Sequence, residues 1–279
     1  MVKDATRVFG LTAILTGIAA SALMQTMLST AMPRIAVDLD AGNVYGWVFA
    51  AYLLTSTLPM PVFSHLADYR GRRTLFVWGI AGFMLGTAGA ALATSGALLV
   101  LARIVQGLGA ASVMVIPRAI IRDLHTGADA TRLMSLVMLV FSVSPILAPL
   151  VGSGLIVPFG WRAVFVAVTL ASVLSFLLVA FVLQETRPPE ERVEVSVRSV
   201  LDGFGELFRD WRFLGLTFIG GFGMASFFAF LASSSFIYIG HFGLTPTQYG
   251  LTFSVNAISF IGASQFSGYL ADRFGIARV

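Results

Sequence analysis

Eight stretches of the chain run for about 20 residues or more with almost no charge: 8–32, 44–64, 74–93, 96–117, 133–157, 161–183, 213–240 and 245–270. A helix needs about 20 apolar residues to cross the hydrocarbon of a bilayer. Inside lipid every backbone N–H and C=O must find its partner within the protein, which a helix achieves by itself. The pattern therefore predicts an all-α membrane protein with eight spans. Only 11% of the residues are charged and 57% are hydrophobic, where a soluble domain carries about a quarter charged. That balance excludes a soluble enzyme, a disordered chain and a nucleic-acid binder, and names the lipid bilayer as the first partner. There is no cysteine, and the three histidines (His65, His125, His241) are scattered, so neither a metal site nor a cofactor is expected.

The first run starts after Lys3 and Arg7 and contains Ala20-Ser21-Ala22, which resembles a signal-peptide cleavage site. The apolar stretch continues ten residues beyond it, too far for a cleaved signal, so a retained helix is expected. Lys and Arg favour cytoplasmic loops. With the N-terminus inside, 15 of the 18 basic residues fall in cytoplasmic segments, leaving Arg34 and Arg162 outside and Arg103 within a span. This predicts a multi-pass protein of the inner (plasma) membrane with a cytoplasmic N-terminus.

The connection 184–212 differs from the others. It is long and charged, contains Pro188-Pro189, and separates six spans from two. The expected organisation is a six-helix bundle over 1–183, a cytoplasmic linker over 184–212 and the first two helices of a second, incomplete bundle over 213–279. Within the linker Val197, Val200, Leu201, Phe204, Leu207, Phe208 and Trp211 recur at three- and four-residue steps, which predicts a helix with one apolar face. Spacing alone leaves open whether that face lies on the membrane surface or the segment is a plain tether.

Two loops repeat. Leu66-Ala67-Asp68-Tyr69-Arg70-Gly71-Arg72-Arg73 follows the second span, and Leu270-Ala271-Asp272-Arg273-Phe274-Gly275 follows the eighth, with 204 residues between the two Asp. Internal repetition on this scale is a property of transporter folds. The pattern G-x-L-A-D-R-x-G-R-R resembles the signature between helices two and three of the major facilitator superfamily, with Ser64 in place of the opening Gly. Arg103-Ile-Val-Gln106-Gly107-Leu-Gly109 is similar to the family's helix-four motif. Pro145, Pro149 and Gly152 fall as in its helix-five antiporter motif, and 228–250 resembles the Bcr/CflA (bicyclomycin-resistance) branch of drug:proton antiporters. The resemblance implies a twelve-helix transporter fold of which this chain has a complete first half and two further helices. Four more helices would follow Val279.

The loop residues have physical roles to offer. Gly71 suits a tight turn, and Asp68 is placed to accept from N–H groups at the next helix start, where the helix dipole favours an anion. Arg72, with Arg73 beside it, is expected to bridge Asp68 to a second carboxylate, and Asp123 matches the family's partner acid. Asp68, Gly71, Arg72, Arg73 and Asp123, with Asp272 and Gly275 of the second copy, read as an inner gate. Their cations alone also serve orientation, and both readings stand at this point.

Arg103 is the one charge well inside a run. A central Arg is expensive in lipid, so it is expected to face the interior, with Gln106 one turn on and Gln25 as a substrate-bonding candidate. The alternative is an Arg that reaches for the outer surface. Pro145 and Pro149 each remove an N–H and predict a kink. The resemblance implies proton coupling. Where relatives carry an acid in the first helix this chain has Thr26 or Met24, and no Asp or Glu lies in any of the eight runs. The residues leave open whether coupling resides elsewhere or is absent.

The expected function is efflux of small hydrophobic compounds or drugs by alternating access. The alternative is a transport-inactive fragment, or one that needs a partner chain. A receptor or enzyme has no supporting motif.

Overall fold

A computed structural model describes residues 2–40, 44–192 and 197–274. Gly275 of the second loop copy lies outside the described residues, as does the side chain of Asp272. The described backbone is built from helices: α1 (Val2–Asp38), α2 (Tyr45–Thr57), α3 (Met60–Arg70), α4 (Arg72–Ala91), α5 (Gly96–Leu124), α6 (Gly127–Phe159), α7 (Arg162–Phe181), α8 (Val197–Arg209), α9 (Trp211–Ser235) and α10 (Pro246–Phe274). Six described helices are long and apolar enough to cross a membrane, or seven if one bent pair counts as a span. The first, third to seventh and eighth runs lie in α1, α4, α5, α6, α7, α9 and α10.

The second run is not one straight helix. It breaks into α2 and α3, which meet at a 41° bend. The sequence there is Leu58-Pro59-Met60-Pro61. Two prolines two residues apart remove two helical donors and crowd the preceding turn, so the helix restarts at Met60. α6, by contrast, stays one continuous helix through Pro145, Pro149 and Pro158. The helical connection in the linker exists as α8, whose Phe204, Leu207 and Phe208 are exposed.

α4 and α5 pack most closely, and glycine is the reason. A Cβ on Gly86 would run into the backbone of Gln106, and one on Gly109 into the backbone of Phe83. Two buried clusters sit one above the other in the bundle. One gathers Ile14, Ile18, Phe76, Ile80, Val113 and Ile120 near the end that carries residues 68–73. The other gathers Met24, Leu28, Tyr52, Phe83, Trp161 and Phe165 toward the opposite end, and takes in Tyr249 and Phe253 of α10. At that opposite end Trp161 Nε1 donates to Asp38 Oδ2 at 2.9 Å, and Arg162 donates to the Ala93 carbonyl at 3.0 Å.

Candidate functional site

Arg103 is completely buried in α5. It does not reach for the surface. Its Nε donates to the Val48 carbonyl at 3.1 Å, one Nη to Gln106 Oε1, and the other to Gln25 Oε1 at 3.0 Å. Its guanidinium carbon lies 4.0 Å from the centre of the Tyr52 ring, a favourable position for a cation against a π face. Gln106 passes the chain on, donating to Thr87 Oγ1 at 2.6 Å. Tyr52 shares a hydrogen bond with Ser21 at 3.1 Å. Residues of α1, α2, α4 and α5 thus converge on one cation.

The local sequence explains the convergence. Positions 103, 106 and 107 share one helical face. A Cβ at Gly107 would collide with the Thr55 side chain and lie 2.8 Å from the Tyr52 carbonyl, so glycine lets α2 close over Arg103. Val48 and Tyr52, four apart on α2, then supply a carbonyl and a ring. Among the described residues every polar partner of Arg103 is neutral. A buried guanidinium is strongly penalised unless its donors are satisfied, and three neutral acceptors satisfy hydrogen bonds without cancelling its charge. Gln25 is the member that stays partly exposed.

The second cluster surrounds the turn at Gly71. Arg72, largely buried, donates through Nη2 to Asp68 Oδ1 at 3.0 Å, and its Nε lies 2.9 Å from Asp123 Oδ2. The Nε–H is not aligned for a hydrogen bond to that oxygen, so the second contact is an ion pair by proximity. Arg72 therefore joins α3 to the end of α5.

Asp68 does not accept from the start of α4, contrary to the sequence expectation. Glu185 takes that place. Its Oε1 accepts from the backbone N–H of Arg72 at 2.8 Å and of Arg73 at 3.3 Å, and from its own neighbours Thr186 and Arg187 at 3.0 and 3.2 Å. Unpaired N–H groups at a helix start form a ready anion site, and a carboxylate arriving from beyond α7 fills it more directly than Asp68, which lies back along α3. Gly71 has φ +100°, and a Cβ there would sit 2.5 Å from Glu185 Oε2. Glycine is needed twice at this position, for the backbone and for the carboxylate. Thr186 Oγ1 donates to Asp123 Oδ2 at 3.2 Å, and Arg187 Nη1 lies 3.6 Å from Asp68 Oδ1. Arg73 donates to the Ala180 carbonyl of α7. Residues 185–187 thus form a strap across the loop. Sequence reasoning missed Glu185 and Thr186. The one available signal was an acid placed directly after a span, in Leu183-Gln184-Glu185.

Among the described residues, the contacts between the first six spans and the last two lie toward the end remote from residues 68–73. Tyr249 of α10 hydrogen-bonds Ser29 of α1 at 3.3 Å and Ser234 of α9 at 2.8 Å. The rings of Tyr45 and Phe236 have centroids 4.8 Å apart. Gly250 lets α10 approach α6, since a Cβ there would lie 2.9 Å from the Pro149 carbonyl. Ser254 donates to the Ile146 carbonyl at 2.6 Å. On its other side α6 places Gly152 against Met27 of α1. The helix-five residues Pro149 and Gly152 thus sit where α6 meets α10 and α1, and Pro145 lies half-buried one turn before Pro149. Among the described residues the Arg72 cluster makes no bond to α9 or α10.

Fold and site together define a multi-pass helical membrane protein of transporter architecture. Residues 14–279 match the Major Facilitator Superfamily, and the chain belongs to that family. It is 31% identical over 252 residues to the uncharacterised MFS-type transporter YdgK of Bacillus subtilis, covering 89% of this chain and 62% of that protein. It is 32% identical over 172 residues to a bicyclomycin resistance protein homologue of Haemophilus influenzae, covering 62% of this chain and 42% of that one. The chain thus spans about half the length of these curated relatives. Its fold resembles a bacterial homologue of the human lysosomal transporter Spinster, with a TM-score of 0.79 at 17% identity over 98% of this chain and 64% of the other.

Proposed function

We propose that this chain belongs to a plasma-membrane exporter of small, largely apolar compounds that works by alternating access, with its N-terminus in the cytoplasm. The observation that carries the reading is the separation of two features. The buried polar cluster at Arg103 lies within the first six helices, while the described ties between the bundles gather at one end. Two bundles joined at one end and free at the other are suited to rock around a site between them. In this reading residues 1–183 form one bundle, 184–212 the linker and 213–279 part of the second bundle. With the arginine-rich end cytoplasmic, the described ties between the bundles close the outer end. Multidrug resistance among the relatives, including a multidrug transporter protein MdtP of Bacillus subtilis, supports drug-like cargo.

Gln25, Arg103 and Gln106 border the transport path. Asp68, Gly71, Arg72, Arg73 and Asp123 form the first bundle's share of an inner gate, to which Asp272 and Gly275 of the second loop copy contribute. Pro145, Pro149 and Gly152 shape the surface along which the bundles slide. Proton coupling, as the resemblance to drug:proton antiporters implies, requires a titratable group in the path, and the spans of this chain offer no carboxylate.

Efflux of uncharged compounds such as chloramphenicol or Nile red from cells or vesicles tests the reading. Efflux that falls at least tenfold in Arg103→Ala at equal membrane level is the expected result. Efflux unaffected by that change removes Arg103 from the path, and no efflux of any compound by the inserted protein overturns the exporter reading. Efflux that persists after the proton gradient is collapsed removes proton coupling from it.

A further inference from the structure

A buried charge imposes its sign on whatever binds near it. Arg103 is fully buried and is held by a carbonyl, two amide oxygens and a tyrosine ring. These partners are dipoles, and dipoles orient around a cation without neutralising it. No carboxylate occurs within any of the eight apolar runs to do so. Gln25 is the one member of the cluster that is partly exposed, and it presents its oxygen to the guanidinium at 3.0 Å. Its amide nitrogen, the donor end, is therefore turned away from Arg103. A molecule approaching Gln25 meets an N–H donor backed by a full positive charge, and both favour an acceptor.

We infer that the Arg103 site binds organic anions in preference to organic cations of the same shape, an inference that rests on placing this cluster on the transport path. The magnitude follows from Coulomb's law. A unit charge about 8 Å from the guanidinium, at an effective dielectric constant near 20, gains or loses roughly 30-fold in affinity according to its sign. The cargo class that fits is an apolar body carrying a carboxylate, sulfonamide anion or phenolate. Permanently cationic dyes fit poorly.

Tetraphenylborate and tetraphenylphosphonium make the test, being nearly identical in shape and opposite in charge. Binding of each to the purified full chain in detergent is followed by quenching of tryptophan fluorescence at fixed ionic strength. The micelle's own preference for one ion is common to every variant, so the quantity read is the change in the anion-to-cation affinity ratio. Gln25→Glu sets a carboxylate against the guanidinium with no change in size, and the ratio is expected to fall at least tenfold. Arg103→Gln is expected to lower it likewise. Gln25→Glu also guards against misfolding, since it adds a salt bridge where a hydrogen bond stood. A ratio that stays within threefold of the parent in folded Gln25→Glu overturns the inference, as does a parent protein that binds neither ion. Because binding is read without transport, lost efflux with a retained charge preference sinks the exporter reading alone.

Discussion

The hydroxyl of Tyr249 lies 3.3 Å from Ser29 Oγ, across 220 residues of sequence, and 2.8 Å from Ser234 Oγ. One phenol thereby joins α1, α9 and α10 at the end where the bundles meet. Its ring is almost completely buried, against Tyr238 and Phe253. Tyr249→Phe keeps the ring and removes both hydrogen bonds. A net loss of about 1 kcal/mol shifts the balance roughly fivefold toward opening at that end. The chain has no cysteine, and Ala232, half-buried in α9 two residues before Ser234, packs against the cluster that holds Tyr249, so a single Ala232→Cys reports the change directly. Its labelling by an impermeant maleimide from outside is expected to quicken about fivefold in Tyr249→Phe, and an unchanged rate counts against a latch at Tyr249.

Gly71→Ala meets two obstacles, a backbone at φ +100° and the Glu185 carboxylate 2.5 Å from the new methyl. The expected destabilisation is about 1–3 kcal/mol. It is read as a lower melting temperature in detergent. Full stability would mean that the turn and strap rearrange without cost.

Glu185 supplies an anion to the first turn of α4. Removing a helix cap costs about 1 kcal/mol in general, and here Arg72 N and Arg73 N both lose their acceptor. Glu185→Ala is expected to lower the melting temperature clearly, and Glu185→Gln to recover most of it, because an amide oxygen still accepts. Equal losses in both variants would assign the effect to charge alone.

Gly82 and Gly86 look equivalent in sequence and are not equivalent in packing. A Cβ at Gly82 would lie 3.6 Å from Gly109 Cα, an ordinary contact, while at Gly86 it would overlap the Gln106 backbone. Gly86→Ala is expected to cost about 1–3 kcal/mol through overpacking and to disturb the Arg103 cluster through Gln106. Gly82→Ala is expected to be nearly neutral. Thermal unfolding of the two variants side by side decides it, and equal behaviour would refute the packing argument.

The spans were readable because lipid leaves a chain few choices, and runs of apolar residues are a direct record of that constraint. The pairing of Asp68 with Arg72 was readable because they stand four apart on neighbouring turns. Glu185 was not, because its partners lie 113 residues back and a lone acid in a charged linker has no period to betray it. The bend between α2 and α3 was written in Pro59 and Pro61, yet hydropathy weighs those residues by composition and passes over their missing donors. Arg103 announced that it needed partners. That Val48 and Tyr52 supply them depended on which helix Gly107 allows to approach, a fact of three dimensions.

The strap at residues 185–187 also sets the length of the leash between the bundles. With Glu185, Thr186 and Arg187 fastened to the first bundle, and an Arg192 Nη 3.2 Å from where a Cβ on Gly71 would stand, the leash is counted from beyond this loop, not from the end of α7. Thirteen residues of what remains are wound into α8, which shortens them to about 20 Å at 1.5 Å per residue. A short tether keeps its two ends at high effective concentration. In the proposed rocking cycle the strap limits how far the two faces beside it swing apart, and it keeps their return within reach of the linker.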